Sequence, residues 1–239
     1  MTQTAIVFGV GAHQGIGAAI ARRFADGGLH VVLAGRNEER LRKRQAEIEA
    51  AGGSAAIHPV DVRKEDAVTA LFDSIDTPIS AVVFNPGANV KHPLAETEAW
   101  LFEHLWRVAC FGGFLVARET TKRMAESGGG SLLYTGATGS LRGAAGHSAF
   151  AAAKAGLRMV AESAAREYGP QGVHVAHVIV DGVVNGDKVR AAFPDLVAQH
   201  GDDGLIDPDA IAEAFWQLHV QPRNAWTFEL DLRPYNETF

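Results

Sequence analysis

The sequence predicts an α/β fold in which a doubly wound, mostly parallel sheet of seven strands carries helices on both faces. Short apolar, β-branched segments alternate with longer amphipathic segments along all 239 residues. These apolar segments are nearly continuous, which is typical of strands buried on both faces of a parallel sheet. No repeat, low-complexity tract or linker interrupts the pattern, so residues 1–239 are expected to form one domain.

The predicted strands are seven short runs rich in valine, isoleucine and other apolar residues. They span residues 4–10, 30–36, 54–61, 79–87, 130–137, 173–182 and 226–234. The last run differs, because Trp226, Phe228, Leu230 and Leu232 alternate with polar residues. A period of two predicts an edge strand with one exposed face.

Helical signals lie between the strands. Residues 98–124 carry apolar side chains at helical spacing, from Leu101 to Leu115, and are expected to form one long helix. Near the end of the chain, Asp207 is expected to cap a helix that starts at Pro208.

Composition narrows the function classes. The formal net charge of -6 argues against a nucleic-acid platform, and a single cysteine, Cys110, excludes an intrachain disulfide. The ten histidines are dispersed, so no metal site is expected. The first residues lack a basic region before their short apolar run, and no apolar run is long enough to cross a membrane. A soluble cytoplasmic protein is the simplest expectation.

Three glycines, Gly11, Gly15 and Gly17, directly follow the first predicted strand at the mouth of a predicted helix. Glycines at such a turn let backbone N–H groups approach a pyrophosphate, and the helix dipole favours its negative charge. The position predicts dinucleotide binding. The alternative is a glycine-rich turn in some other doubly wound fold.

The spacing G-x-x-x-G-x-G, with "AGRN" at 34–37, "VDV" at 60–62 and "NPG" at 85–87, resembles the short-chain dehydrogenase/reductase family. The resemblance covers nearly the whole chain, including its length and element order. It implies a Rossmann-type sheet with strand order 3-2-1-4-5-6-7, a nicotinamide dinucleotide cofactor and a homodimer or homotetramer. It also implies that residues 183–207 form a lid over the substrate pocket.

Charge at the end of the second strand bears on the cofactor. NAD sites normally carry Asp or Glu there, which binds the ribose 2′-hydroxyl and repels a 2′-phosphate. This chain has Gly35 and Arg36, with no acid before Glu38. A guanidinium binds phosphate through charge-assisted hydrogen bonds, so NADP(H) is expected in preference to NAD(H). The alternative is that Arg36, Arg40 and Arg44 form a solvated helix face.

The resemblance also assigns cofactor contacts by position. Asp61 and Val62 fall at the adenine, and Asn85 and Gly87 fall along the adenine ribose. The full set that it implies is Gly11, His13, Gln14, Gly15, Ile16, Gly17, Arg36, Asp61, Val62, Asn85, Pro86, Gly87, Lys154, Gly182 and Val184.

Members of the family typically react through an Asn, a Ser, a Tyr and a Lys. Here Lys154 fills the Lys position, while Phe150, Ala137 and Ala109 stand at the Tyr, Ser and Asn positions. A benzyl ring neither donates nor accepts a proton, so the ordinary carbonyl reduction is not available.

Three residues are candidate surrogates for the missing groups. His147 lies one turn before Phe150, Thr135 shares a strand face with Ala137, and Asp181 follows the sixth strand. The alternatives are a helix cap for His147, a core hydroxyl for Thr135 and a turn former for Asp181.

Three functions remain open on the sequence. The chain is an NADP-dependent oxidoreductase acting on a small carbonyl or alcohol compound through a surrogate group, or an inactive NADP-binding sensor, scaffold or partner subunit. The third is a non-redox enzyme, such as a lyase or isomerase, that uses the same pocket.

Overall fold

A parallel sheet of seven strands lies at the centre of the computed structural model, which describes residues 3–201 and 203–238. The strands are β1 (Thr4–Phe8), β2 (His30–Gly35), β3 (Ser54–Pro59), β4 (Ile79–Phe84), β5 (Gly130–Thr135), β6 (Val173–Val180) and β7 (Glu229–Leu232). Their order is β3-β2-β1-β4-β5-β6-β7, and every neighbouring pair is parallel. The predicted fold class and strand order are therefore confirmed.

Helices connect the strands and cover both faces of the sheet. They are α1 (Ile16–Asp26), α2 (Glu38–Ala50), α3 (Glu65–Asp73), α4 (Ala99–Trp106), α5 (Gly112–Glu126), α6 (Ser148–Tyr168), α7 (Asp187–Ala192), α8 (Pro194–His200) and α9 (Pro208–His219). Single 3₁₀ turns lie at Leu94–Glu96, Thr138–Ser140 and Gly169–Gln171.

The two faces of the sheet bury separate apolar layers. Along β1, Ala5 and Val7 belong to a core layer with buried residues of α1, α2 and α9. Ile6 and Phe8 point the other way, into a layer shared with α3, α5 and α6. All four side chains are fully buried, because successive residues of a central strand face opposite layers and both are covered.

Two local expectations hold near the end of the chain. β7 lies at the edge of the sheet, and its residues are partly exposed. The Asp207 side chain accepts a hydrogen bond from the Asp209 N–H at the start of α9, with Pro208 as the first helical residue. This cap satisfies one of the backbone donors that a helix start leaves unpaired.

Each strand ends one to three residues earlier than its apolar run. Gly9, for example, adopts a φ of +83° directly after β1, which takes the chain out of the strand and into a turn. The residues of each apolar run that lie beyond the end of its strand belong to the turns at the carboxyl edge of the sheet. Because ligands of open parallel sheets bind at that edge, these turns are where a site is expected.

The long helix expected over residues 98–124 is interrupted. A π turn, Arg107–Phe111, separates α4 from α5 and contains Ala109. The two glycines that follow allow close packing, since a Cβ on Gly112 would lie 2.9 Å from Val62 and one on Gly113 would overlap Leu157. Hydrophobic spacing did not reveal the extra residue, because the pattern is helical on both sides of it.

The predicted lid is closed at its base. Val184 pairs with Ile206 in an isolated parallel bridge, and the Asn185 N–H donates to the Ile206 carbonyl at 2.8 Å. Helices α7 and α8 lie between these two points. Asp202, within the predicted lid of residues 183–207, lies outside the described residues.

Candidate functional site

A cleft of about 1150 Å³ opens at the carboxyl edge of the sheet. Turns that follow six of the strands, β1 to β6, contribute to its wall, together with α6 and the base of the lid. Pockets for small ligands usually measure roughly 300–1,000 Å³, so this cleft has room for a dinucleotide and a small molecule together.

The glycine turn forms one end of the cleft. Helix α1 starts at Ile16 after Gly15, with no side-chain cap and no acidic residue in its first turn. A Cβ on Gly17 would lie 2.6 Å from the Gly9 carbonyl oxygen, whereas a Cβ on Gly11 would meet no atom within 4 Å. Gly17 thus allows close packing against Gly9, whereas the backbone at Gly11 is accessible from the cleft. An uncapped helix start beside open backbone fits the pyrophosphate of a dinucleotide.

The base of the lid is fastened to this turn. The Gln14 N–H donates to a carboxylate oxygen of Asp187 at 2.9 Å, and the Asp187 N–H donates to the Gln14 carbonyl at 3.1 Å. Gly186 lies so close that a Cβ there would be 2.5 Å from the same carbonyl oxygen. The lid and the glycine turn therefore share a wall of the cleft.

Arginines at the end of β2 fall into two groups. Arg36 and Arg40 line the cleft, and in the described part of the chain neither guanidinium has a hydrogen bond or ion pair. Arg42 and Arg44, in contrast, pair with Glu38 and with Glu47. A solvated, internally paired helix face thus describes Arg42 alone, because the paired Arg44 side chain is mostly buried, while Arg36 and Arg40 present unpaired donors to the cleft.

Asp61, at the end of β3, is held by a neighbour. Both of its carboxylate oxygens accept hydrogen bonds from the Arg63 guanidinium, at distances from 2.5 to 3.1 Å. These bonds hold the pKa of Asp61 down at about 2. Arg63 also contacts Nδ1 of His104 at 3.1 Å. Asp61 is thus an ionised acceptor on the cleft wall whose oxygens already have donors.

Lys154 lies deep in the cleft on α6. Its ammonium donates to the Thr135 carbonyl at 2.7 Å, and a Cβ on Gly87 would lie 3.2 Å from its nitrogen. The side chain is 4% exposed, and burial lowers the pKa of Lys154 to about 8. The contact with Gly87 brings the turn after β4 directly against this amine.

Phe150 lies one turn before Lys154 and lines the same cleft. Its ring lies against the turn after β5, where a Cβ on Gly139 would be 3.0 Å from it. Ala137 is also in the cleft wall, and its N–H donates to the Ser140 hydroxyl at 3.2 Å. This part of the wall consists of a benzyl ring and a methyl group, neither of which transfers a proton.

Two of the candidate surrogates line the cleft. The Thr135 hydroxyl is buried, and within the described residues it has no hydrogen-bond partner. His147 is partly buried at the start of α6, with Nδ1 3.1 Å from the Ala145 carbonyl oxygen. Since a carbonyl oxygen only accepts, Nδ1 carries the hydrogen and Nε2 is left as the acceptor.

Three residues from the sequence analysis have side chains outside the cleft wall. His13 turns away and contacts Glu47 at 3.0 Å. Ala109 is buried in the π turn, and Asp181 is buried against Thr138, whose hydroxyl donates to its carboxylate. The other residues assigned by the resemblance, from Gly11 to Val184, lie together along the cleft.

The cleft also contains residues that sequence reasoning did not assign to it. Arg142 lies in the segment between β5 and α6, Lys188 lies on α7, Asn89 follows β4, and His104 lies on α4. Their location follows from the folding of connecting segments over the sheet edge. Arg142 could have been assigned to the cleft from the sequence, because it follows the end of β5 by seven residues.

Two further searches cover the described residues alone. Among residues 3–201 and 203–238, no group of three or more His, Cys, Asp or Glu side chains converges to hold a metal ion. Over the same ranges, none of the helices combines the length and the apolar character that crossing a membrane requires.

Comparisons with known proteins agree with this geometry. The family model for short chain dehydrogenase matches residues 4–195. The crystal structure of a short-chain dehydrogenase from Rhodopseudomonas palustris is 43% identical, with a TM-score of 0.83 over 98% of this chain and 99% of that one. A metagenomic short-chain oxidoreductase in complex with NADP is 28% identical, with a TM-score of 0.81 over 97% of each chain.

A curated relative is much longer. The uncharacterized oxidoreductase YuxG of Bacillus subtilis is 33% identical over 209 residues, which are 84% of this chain. The match spans only 30% of the length of that protein. The family match itself covers most of the present chain, from β1 to α8, and the sheet order and glycine turn agree with it. The chain therefore belongs to the short-chain dehydrogenase family.

Proposed function

We propose that the protein binds NADP(H) in the cleft and acts as an oxidoreductase on a small carbonyl or alcohol compound, without a tyrosine general acid. The observation that carries the proposal is the pair Arg36 and Arg40, which line the cleft without ion-pair partners in the described chain, beside an uncapped helix start. When bound, the cofactor supplies or accepts a hydride.

The nucleotide end supports binding of a phosphorylated dinucleotide. The α1 start and the open turn at Gly11 offer backbone donors for the pyrophosphate. Arg36 and Arg40 then bind the 2′-phosphate, because a forked guanidinium matches its oxygens. No carboxylate at the end of β2 repels that phosphate, since the nearest acid in sequence, Glu38, pairs with Arg42. The NADP complex of the metagenomic relative is consistent with this choice.

The reaction end holds few groups that move a proton. Lys154 binds the nicotinamide ribose, and the bond that its buried ammonium donates to the Thr135 carbonyl fixes the position of this amine. The Thr135 hydroxyl has no partner among the described residues and is the nearest donor for a substrate oxygen. His147 Nε2 is an available acceptor for an alcohol proton. These groups replace, at lower efficiency, the tyrosine and serine of other family members.

A titration with NADPH and NADH tests the cofactor assignment. Replacing both arginines, in Arg36→Ala/Arg40→Ala, is expected to weaken NADPH binding roughly 10²- to 10⁴-fold, because charge-assisted hydrogen bonds contribute about 1.5–3 kcal/mol each. NADH affinity should stay unchanged, since it lacks the phosphate. Lys43→Ala is the matched control, as Lys43 lies on the same helix as Arg40 and pairs with Glu39 outside the cleft wall. Equal losses for both cofactors would contradict NADP selectivity, and absence of NADPH binding would overturn the proposal.

A second candidate is an NADP-binding protein without redox turnover, which acts as a sensor, scaffold or partner subunit. It is favoured by the apolar pair Phe150 and Ala137, because no proton-transferring side chain stands at either position. Tight NADPH binding with no change in nicotinamide absorbance across a panel of carbonyl compounds is the result expected of this candidate. Turnover that disappears in Thr135→Val would favour the oxidoreductase.

The proposal includes a homodimer or homotetramer. Helix α4 and the start of α5 expose a group of large aromatic side chains, namely Trp100, Phe102, Trp106 and Phe114. Exposed apolar surface of this kind marks protein contacts more often than free surface.

A further inference from the structure

The cleft concentrates positive charge within an acidic protein. The chain carries a formal net charge of -6. The cleft wall nevertheless contains five basic side chains, which are Arg36, Arg40, Arg142, Lys154 and Lys188. Among the described residues of that wall the one acid is Asp61, and Arg63 already neutralises it. The occupants of the cleft are therefore anions.

The bound dinucleotide accounts for part of this charge. Under the proposed function, on which this inference rests, Arg36 and Arg40 face the 2′-phosphate and Lys154 faces the nicotinamide ribose. Arg142 and Lys188 remain. Arg142 follows the 3₁₀ turn that starts next to Ala137, and Lys188 lies on α7 in the lid. Arg142 lies beside Ala137 at the reaction end, whereas Lys188 follows Asp187, which is bonded to the glycine turn.

The positive charge of Arg142 is only weakly balanced by carboxylates of the protein. Its nearest carboxylate is that of the buried Asp181, with 3.7 Å between the closest nitrogen and oxygen. The same carboxylate oxygen lies 3.6 Å from a guanidinium nitrogen of Arg233, and Thr138 donates to the other oxygen. The Arg142 guanidinium has no hydrogen bond among the described residues, and the side chain is 50% exposed. Its donors are thus open to an anion in the cleft.

The surroundings of Arg142 indicate the kind of anion. Arg142 and Arg233 both face the carboxylate of Asp181, but Arg233 also pairs with Asp231, while Arg142 keeps its donors open to the cleft. The nearby wall is apolar and includes Phe150, Ala144, Ala151 and Val189. The single guanidinium fork of Arg142 matches one carboxylate, and the apolar side chains match an apolar body.

We propose that the substrate of this site is a small monocarboxylate with an apolar body, and that Arg142 determines this specificity by binding the carboxylate. Lys188 adds long-range attraction from the lid. Because a guanidinium binds a carboxylate through two parallel hydrogen bonds, it also orients the molecule in the cleft. The carbonyl or alcohol carbon is then presented at a fixed distance from the anionic group, toward the wall formed by Phe150 and Ala137.

Matched acids and methyl esters test the proposal. The probes are levulinate, benzoylformate and 3-phenylpropionate, each compared with its methyl ester in calorimetric titrations of the full chain saturated with NADPH. At least one acid is expected to bind the wild-type protein roughly 10- to 100-fold more tightly than its ester. Arg142→Gln should remove that preference and leave NADPH affinity unchanged. Arg142→Lys should keep part of it, because the charge remains and the fork is lost.

Arg190→Gln is the control variant. Arg190 also lies on α7, but its guanidinium donates to the Asn185 side chain outside the cleft wall, so the acid preference should persist. The proposal is overturned if no acid binds the wild-type protein more tightly than its ester, or if Arg142→Gln retains the preference. The same titrations without NADPH separate the two claims, since a lost cofactor site leaves the Arg142 contact in place.

Discussion

The nucleotide half and the reaction half of the cleft offer opposite surfaces to a ligand. At the nucleotide end, open backbone at Gly11, the uncapped α1 start and two unpaired guanidiniums face the cavity. At the reaction end, Phe150 and Ala137 present a ring and a methyl group beside the charged side chains of Lys154 and Arg142. Binding a dinucleotide and transferring a proton are therefore separate requirements, and this chain meets them to different degrees.

The largest expected effect comes from restoring the reaction half. The triple variant Ala109→Asn/Ala137→Ser/Phe150→Tyr supplies the side chains that the family typically uses, on a backbone that already holds Lys154. A positioned general acid contributes about 10²–10⁴-fold in rate. NADPH oxidation with a carbonyl panel should rise by that order over the wild-type protein.

The matched control adds Lys154→Met to the same triple variant. It should lose the gained turnover, because the tyrosine pKa then stays near its ordinary value of about 10. A triple variant that folds, binds NADPH and gains nothing would mean that the two halves differ in backbone geometry as well as in side chains.

A pair of glycine substitutions sharpens the comparison at the nucleotide end. Gly17→Ala should cost about 1–3 kcal/mol, since its Cβ would lie 2.6 Å from the Gly9 carbonyl oxygen and the turn would have to shift. Thermal unfolding should show a drop of roughly 2–4 °C per kcal/mol. Gly11→Ala should leave the melting temperature unchanged, because a Cβ there meets no atom within 4 Å, yet weaken NADPH binding. A destabilised Gly11→Ala would contradict the open turn.

The smallest effect concerns the buried amine that joins the two halves. Burial lowers the pKa of Lys154 from 10.5 to about 8, so the unfolded chain holds this proton more tightly than the folded chain. Stability therefore rises with pH between about pH 8 and pH 10.5. The gain between pH 7 and pH 9.5 should be about 1–2 kcal/mol.

Urea unfolding of the wild-type protein and of Lys154→Met measures this gain as a difference, in which the other titrating groups cancel. His177, whose own pKa burial lowers to about 4, titrates below this window. Parallel stability curves for the two proteins would show that Lys154 is not buried as a charge.

Much of the fold and part of the site could be predicted because both depend on local pattern. Apolar runs marked all seven strands, and their excess residues, such as Arg36 and Asn85, turned out to line the cleft. Those residues directly follow the apolar residues in sequence, but they lie in the turn after each strand and not in the strand itself. Position at a strand end was therefore a better guide to the site than residue type.

What could not be predicted depends on contacts between distant segments. The side chain of His13 contacts Glu47 on α2, 34 residues away, and Arg63 contacts His104 on α4, 41 residues away. Neither pairing leaves a mark in the spacing of motifs. The π turn around Ala109 was missed because one added residue keeps helical periodicity on either side.

That π turn distinguishes two kinds of change in a protein lineage. The side chain at Ala109 is altered by a single substitution, whereas removing the extra residue of Arg107–Phe111 needs an in-frame deletion. Such a deletion would rotate α5 by about 100° relative to α4 and pull Gly112 away from Val62. The side chain at this position can thus be exchanged on its own, while the backbone shape around it is retained by packing.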